Sequence, residues 1–271
     1  MADKIFTGEV SGNWNIAGNW FSGVVPAAAD NIFLVADYPV DLTAGLIQSA
    51  VAYGKLIVEA GYTGTIGSKL TYLEINCTDI DFKGSGESYI DSSTSAIDIR
   101  VDGTAAAGTG KSGLYLKGSA VDEINIISGN VGIASRAGET ATVTTVTVNG
   151  GRVVVGDGCT LTNATVYSGG LVSQASITTL KNYNGSVTTE EAAAVTTLSL
   201  FNGSVSHNGT GTITTATVEG GTLDLFRSGL ARTITTLNLK PGGVVIYDPD
   251  LVTITTLNIT GGPISISTNN A

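Results

Sequence analysis

Apolar and polar positions follow one recurring pattern over the second half of the chain, with eight copies between residues 121 and 267. Counting the first residue of each copy as position 0, positions 0, 3 and 5 are mostly apolar, and a Thr-Thr pair usually fills positions 1 and 2. Position 8 is glycine in every copy, and position 10 is always aliphatic. The copies begin at Val121, Val143, Leu161, Ile177, Val195, Ile213, Ile234 and Ile254.

These copies predict short β-strands, because they are rich in Val, Ile and Thr and lack the 3.6-residue spacing of an amphipathic helix. A period of 16 to 22 residues with a fixed glycine predicts a solenoid. Each repeat, or coil, would stack about 4.8 Å above the previous one as a parallel β-helix. The variable period favours the right-handed form over left-handed forms with strict short repeats. The predicted fold is all-β, a single right-handed parallel β-helix with an N-terminal capping segment.

The domain organisation follows from where the pattern begins. Residues 1–45 contain no repeat but hold both tryptophans, Trp14 and Trp20, and two of the five prolines. Because a solenoid needs a cover over its first coil, we predict an N-terminal cap or attachment module there. Residues 46–271 would form the β-helix, with less regular coils over 46–120 and regular coils over 121–267. The two tryptophans are candidates for covering the core and for contacting a partner.

Composition narrows the possible partners. The net charge of −10 disfavours nucleic acid, because phosphate contacts need clustered Lys or Arg. No run approaches the roughly 18 apolar residues of a membrane-spanning helix, so we expect no membrane partner. The first residues also lack the features of a signal peptide. Cys77 and Cys159 would lie several coils apart, so we expect no disulfide between them.

A search for catalytic or metal-binding groups finds little. His207 is the only histidine, and we expect it to occupy a stacked position in line with Thr189 and Leu225. Asp79 and Asp81 have the spacing of a glycosidic acid pair, but a solvated strand face is the favoured interpretation. Residues 108–112, Gly-Thr-Gly-Lys-Ser, match only half of a phosphate-binding loop. We therefore predict no enzymatic activity, no cofactor and no metal site.

Among the residues that should face outward, those at position 6 say most about a possible interface. It is Tyr167, Tyr183 and Phe201 in three consecutive copies, followed by Glu219 and Lys240. If positions 3 and 5 point inward, the three rings would stack on the outside, and an exposed apolar patch commonly marks an interface. The alternative is that each ring covers a turn in its own coil. A sugar-binding platform ranks behind both.

The Thr-Thr pairs predict threonine ladders on the sheet surface. Such ladders also suggest ice binding, since flat arrays of threonine can order water. We expect the variable period to disturb that spacing, and adjacent threonines to point to opposite faces, so this alternative ranks low.

The N-terminal segment also carries a family resemblance. Its Trp-x5-Trp spacing at Trp14 and Trp20, the Gly-x2-Pro ending at Pro26 and the Asp-x-Ile beginning at Asp30 resemble a module of right-handed β-helix proteins. Such proteins occur in phage virions and among bacterial passenger domains. With the short lead of residues 1–8, the segment looks most like those of phage structural proteins. The resemblance covers only this segment.

This resemblance and the missing catalytic groups lead to one expected function. We expect a non-enzymatic structural protein of a phage virion, either a capsid decoration or cement protein or a head fibre. It would be a homotrimer that contacts the major capsid protein or other virion proteins, and it would be located in the virion after synthesis in the host cytoplasm. The alternatives are a tailspike or fibre that binds or cleaves host-surface polysaccharide, and a passenger-type surface adhesin.

Overall fold

The computed structural model describes residues 2–92, 97–103, 113–226, 229–260 and 265–267. It is 55% strand and 1% helix, and forms a parallel β-solenoid of right-handed type with about 11 turns. The predicted fold class is confirmed. Contacts divide the chain into two compact units, unit 1 (Met1–Val143) and unit 2 (Thr144–Ala271). The predicted boundary after residue 45 stays a prediction.

Unit 1 contains ten complete strands among the described residues, and one 3-10 turn at Ala17–Asn19. The strands are β1 (Asp3–Phe6), β2 (Asn31–Leu34), β3 (Ile47–Ala52), β4 (Lys55–Val58), β5 (Leu73–Asn76), β6 (Asp79–Phe82), β7 (Ser88–Asp91), β8 (Ile97–Asp102), β9 (Leu114–Ser128) and β10 (Asn130–Ile133).

Two parallel sheets form the coils of unit 1. The first contains β1, β2, β4, β6, β8 and the second half of β9, and the second contains β3, β5, β7, the first half of β9 and β10. Because successive residues of a strand point to opposite faces, one apolar residue per coil enters the core in line with the next. One such column is Ile32, Leu56, Ile80, Ile99 and Ile124, all at most 2% exposed.

The N-terminal segment covers the start of this core with aromatic rings. Trp14 and Trp20 are 0% and 2% exposed, with ring centroids 5.0 Å apart. Trp20 Nε1 donates a hydrogen bond of 2.7 Å to the carbonyl of Trp14, and Phe6 packs against Trp20 at 5.2 Å. The burial of both rings supports the predicted covering role, which stays a prediction. The expected contact of these two tryptophans with a partner also stays a prediction, and their burial argues against it.

Unit 2 contains the regular coils, and the division between the units falls within β11. The strands are β11 (Ala141–Val148), β12 (Arg152–Val155), β13 (Cys159–Val166), β14 (Gly170–Ser173), β15 (Ile177–Asn182), β16 (Ser186–Thr189), β17 (Val195–Leu200), β18 (Ser204–His207), β19 (Ile213–Val218), β20 (Gly221–Asp224), β21 (Arg232–Leu239), β22 (Gly243–Ile246), β23 (Val252–Ile259) and β24 (Ser265–Ser267).

Odd-numbered and even-numbered strands of unit 2 form separate parallel sheets. The first sheet stacks β13, β15, β17, β19, β21 and β23, and the second stacks β12, β14, β16, β18, β20, β22 and β24. In the second sheet the predicted position-10 column is confirmed from Val153 to Leu223. The next coil differs, since Leu223 aligns with Val245 rather than with Val244. The turn at Lys240, closed by a bond from Gly243 N to its carbonyl at 3.1 Å, moves the register by one residue.

Both threonines of each pair face solvent, which corrects the expectation of opposite faces. In β15, Ile177 and Leu180 are buried while Thr178 and Thr179 between them are not, and β17 and β19 repeat this order. The strand therefore bends once per coil. The position-2 residues nevertheless stay in register from coil to coil: Asn163, Thr179, Thr197, Thr215, Thr236 and Thr256.

Most of the position-8 glycines adopt the left-handed backbone of the predicted sharp turns, and Gly185 is the exception among those described. Gly203 has a φ of +79°, and a Cβ there would lie 2.3 Å from the carbonyl oxygen of Gly185 in the previous coil. Only glycine adopts this conformation at so close an approach without strain. The last predicted turn, at Gly262 and Ile264, lies outside the described residues, as do residues 108–112. Both cysteines are free and buried, as expected.

Candidate interaction surface

Tyr167, Tyr183 and Phe201 form a ridge on the outside of unit 2, called here the aromatic ridge. Each ring follows the last residue of β13, β15 or β17, and those last residues are buried. Since the chain alternates sides, the next residue points outward. The backbone amides of the three residues donate to carbonyls of the preceding coil at 2.8, 2.8 and 2.9 Å. The ladder therefore places the rings one coil apart.

The three rings stack on one another, as predicted. The centroids of Tyr167 and Tyr183 are 4.9 Å apart with planes 11° from parallel, and those of Tyr183 and Phe201 are 4.6 Å apart at 10°. The tyrosines are still 47% and 37% exposed. The rings contact each other across coils, which argues against the alternative that each covers only its own turn.

The stacking determines which part of each ring a partner can reach. Tyr183 is stacked on both of its faces, by Tyr167 and by Phe201, so its exposed part is the ring edge with the hydroxyl. A sugar platform needs free ring faces, against which the C–H groups of a sugar can pack. The ridge therefore suits a protein surface, which can pack against ring edges, better than a glycan.

Polar groups border the aromatic ridge. Asn202 Nδ2 donates to Asn184 Oδ1 at 3.2 Å, which forms an amide pair one residue beyond the rings. In the two coils after Phe201, position 6 holds an ion pair between Glu219 and Lys240, with Oε1 and Nζ 2.5 Å apart. An apolar centre beside satisfied polar groups is the usual anatomy of an interface.

A second pair of stacked tyrosines lies in unit 1, and sequence reasoning missed it. Tyr89 and Tyr115 have centroids 4.9 Å apart and planes 6° from parallel, and Tyr72 meets Tyr89 edge-on at 5.4 Å. These residues are 17 and 26 positions apart along the chain, so no fixed period reveals them. Their recurrence just before or within strands of the second sheet was the only available signal.

Residues 134–140, called here the strap, contact this second pair. The guanidinium carbon of Arg136 lies 5.5 and 5.4 Å from the Tyr89 and Tyr115 centroids. The hydroxyl of Tyr72 donates to Glu139 Oε1, and the Arg136 amide donates to Glu139 Oε2 at 3.2 Å. Burial, followed by the Glu139 carboxylate, raises the pKa of Tyr72 above its usual value. Tyr89 is only 2% exposed, whereas Tyr115 is partly exposed.

The carboxylates considered as an acid pair line a groove of about 390 Å³ on the first sheet of unit 1. Asp79 lies 3.5 Å from Lys55 Nζ, and Asp81 lies 2.8 Å from Lys83 Nζ and 3.2 Å from Arg100 Nη1. Each of these two carboxylates is thus ion-paired on a strand face, which agrees with the favoured interpretation. Among the described residues, no group of three His, Cys, Asp or Glu side chains is placed to hold a metal ion.

His207 occupies the stacked position predicted for it, paired in register with Thr189, and it is 1% exposed. Its Nε2 lies 2.6 Å from the carbonyl of Gly211. Because a carbonyl only accepts, Nε2 carries the hydrogen, and Nδ1 accepts from the hydroxyl of Thr189. A neutral, fully bonded imidazole in the core is a structural group.

Comparison with protein-family models, with curated proteins and with solved structures finds no match to this chain. No helix among the described residues is long and apolar enough to span a membrane.

Proposed function

We propose that the protein is a non-enzymatic structural component of a phage virion, which binds its neighbours through the aromatic ridge. One observation carries this proposal: three stacked rings on the outside of unit 2 present their edges to solvent. Exposed apolar clusters of this kind mark protein interfaces. The virion setting comes from the resemblance of the N-terminal segment, and the exposed rings of the aromatic ridge support a role in binding other proteins.

The expected assembly is a homotrimer that decorates or reinforces a capsid. In-register backbone hydrogen bonds link every described coil of unit 2 to the next, which makes the unit a stiff rod. A stiff rod with one apolar ridge can dock along its length on a sister subunit or on the shell. The mechanism is mechanical and needs no catalytic group.

The test is binding of the purified full chain to empty phage shells, followed by co-sedimentation. We expect binding, and we expect the variant with Tyr167→Ser, Tyr183→Ser and Phe201→Ser to lose most of it. The matched control substitutes exposed threonines of the same three coils, Thr162→Ser, Thr178→Ser and Thr196→Ser, and should bind like the native chain. A native chain that ignores the shells would overturn the virion role. Cleavage of host polysaccharide by the native chain would favour the tailspike alternative.

The threonine columns favour a second candidate function, binding to ordered water or ice. The sequence raised two objections to ice binding: adjacent threonines would point to opposite faces, and the variable period would disturb their spacing. The pairs lie outside together, and the position-2 residues stay in register although the coils differ in length. The test is microscopy of ice grown in the presence of the full chain. Faceted crystals that become round with Thr197→Lys would support this candidate, and round crystals with the native chain would reject it.

A further inference from the structure

Two Asn-Gly dipeptides occupy the same place in consecutive coils, directly after two rings of the aromatic ridge. Asn184-Gly185 and Asn202-Gly203 fill positions 7 and 8 of their copies, and each is preceded by an aromatic residue and followed by serine. Both asparagines are exposed, and Asn202 Nδ2 donates to Asn184 Oδ1 at 3.2 Å. Since the two sites match in local sequence and in exposure of the asparagine, a chemical difference between them has to come from the glycines.

The backbone amide of Gly185 is engaged in a hydrogen bond. It donates to Asn182 Oδ1 at 2.8 Å, and both residues are buried. Asn182 Nδ2 in turn donates to the carbonyls of Gly185 and Ser204, each at 3.0 Å. Three hydrogen bonds therefore fix the Asn182 side chain, and that side chain holds the hydrogen of the Gly185 amide.

The backbone amide of Gly203 has no such partner. The residue in register with Asn182 in the next coil is Leu200, whose side chain cannot accept a hydrogen bond. No acceptor for the Gly203 amide lies within the part of the chain that the structure describes. Gly203 is also half-buried rather than buried. One difference between the two coils, leucine in place of asparagine, thus leaves the second glycine nitrogen free.

We propose that Asn202 is a site of spontaneous deamidation and that Asn184 is protected from it. In this reaction the Gly203 backbone nitrogen gives its proton to water or hydroxide and attacks the side-chain Cγ of Asn202. The new N–Cγ bond closes a succinimide ring, while the Cγ–Nδ2 bond breaks and Nδ2 takes a proton from water and leaves as ammonia. Water then opens the ring at one of its two carbonyls, which gives aspartate or isoaspartate. No oxidant, reductant or cofactor takes part.

The glycine nitrogen decides which site reacts. Glycine favours the attack because it has no side chain to hinder the approach of its nitrogen. At Gly185 the bond to Asn182 must open first, and the cost of losing one hydrogen bond reduces the reactive population about tenfold. The bond between the two asparagines does not distinguish the sites, because its opening frees both side chains.

The product changes the border of the aromatic ridge. Aspartate or isoaspartate in place of Asn202 adds a negative charge directly after Phe201, and it removes the donor that Asn202 supplies to Asn184. Isoaspartate also lengthens the backbone beside Gly203, where the chain closely approaches the Gly185 carbonyl. The reaction itself does not depend on the proposed function, whereas its effect on binding through the ridge does.

The experiment incubates the purified full chain in mildly alkaline buffer and follows both sites by peptide mapping with mass spectrometry. We expect aspartate and isoaspartate to form from Asn202 about tenfold faster than from Asn184. The same chain unfolded in urea is the control for local sequence, and there the two asparagines should react at similar rates. Asn182→Leu is the matched variant, because it gives the first coil the residue found in the second. In that variant, with folding checked by circular dichroism, Asn184 should react about as fast as Asn202.

Three results would overturn the proposal. The first is equal rates at Asn184 and Asn202 in the folded native chain, and the second is no product from Asn202 under conditions where the unfolded chain reacts at both sites. The third is a folded Asn182→Leu chain in which Asn184 stays as slow as in the native chain. If Asn182→Leu does not fold, the ratio of the two rates in the folded native chain, compared with the ratio in urea, decides the question alone.

Discussion

The rings of Tyr183 and Phe201 lie on successive coils with centroids 4.6 Å apart and planes 10° from parallel. Such a pair contributes about 0.5–1.5 kcal/mol beyond its area. Tyr183→Ser removes two such pairs, because Tyr183 also stacks on Tyr167, but since Tyr183 is 37% exposed the free energy of unfolding should fall by no more than about 2 kcal/mol. Leu180→Ala on the same strand removes a fully buried side chain and should cost about 2–5 kcal/mol. Urea unfolding followed by circular dichroism compares the two, and equal losses would place Tyr183 in the core.

The turn at Gly203 gives a second prediction. Gly203→Ala combines a left-handed backbone with a Cβ only 2.3 Å from the Gly185 carbonyl oxygen, so we expect a loss of about 2 kcal/mol or more. Gly229→Ala is the matched control, since Gly229 has a φ of +62° and nothing within 4 Å of its Cβ. That control should lose only about 1 kcal/mol. Similar losses in thermal unfolding would show that close packing of the coils contributes nothing at this turn.

The single histidine predicts how stability depends on pH. Burial lowers the pKa of His207, the Gly211 carbonyl partly opposes this, and the Arg232 guanidinium adds to the lowering. Asp224 also belongs to this cluster, because it acts on Arg232. The folded pKa of His207 thus lies below the unfolded value of about 6.5. At a pH between these two pKa values, the unfolded chain binds more protons than the folded chain. Stability is therefore full above the unfolded pKa and declines as pH falls below it.

His207→Gln tests that sign. A glutamine can still donate to the Gly211 carbonyl and accept from Thr189, but it does not titrate. Urea midpoints measured from pH 7.5 to 5.5 should fall for the native chain and change less for the variant. Since His207 is the only histidine, parallel curves would assign the pH dependence to other groups.

The tryptophans give a prediction about the N-terminal cover. Trp14 and Trp20 are the only tryptophans in the chain, and both are buried. Iodide should therefore quench their fluorescence weakly in the folded protein and strongly in urea. Strong quenching of the folded protein would show that the cover is open, and would favour the predicted contact of the two side chains with a partner.

Much of the fold could be predicted because it repeats. An inward residue such as Leu180 lies in register with an inward apolar residue of the coil on either side, so one pattern predicted the strand, the glycine turn and the outward position of Tyr183. The same regularity brought His207 into line with Thr189. These features depend only on the spacing of residues along the chain, and that spacing can be read from the sequence.

The rest depends on contacts that spacing does not encode. The bend that brings Thr178 and Thr179 to the same side interrupts the alternation on which the prediction relied. The turn at Lys240 shifts the register by one residue, so that Val245 replaces Val244 in the core. Arg136 reaches Tyr89 from a loop 47 residues later in the chain, a pairing that only the folded coils create.

The most direct test of the account is the solution mass of the native chain and of the triple serine variant of the aromatic ridge, measured by sedimentation equilibrium. The chain has a mass of 27.5 kDa. We expect a trimer for the native protein, and a smaller species with an unchanged β-type circular dichroism spectrum for the variant. A native monomer, or a variant that keeps the native mass, would contradict the claim that the ridge is an interaction surface between subunits.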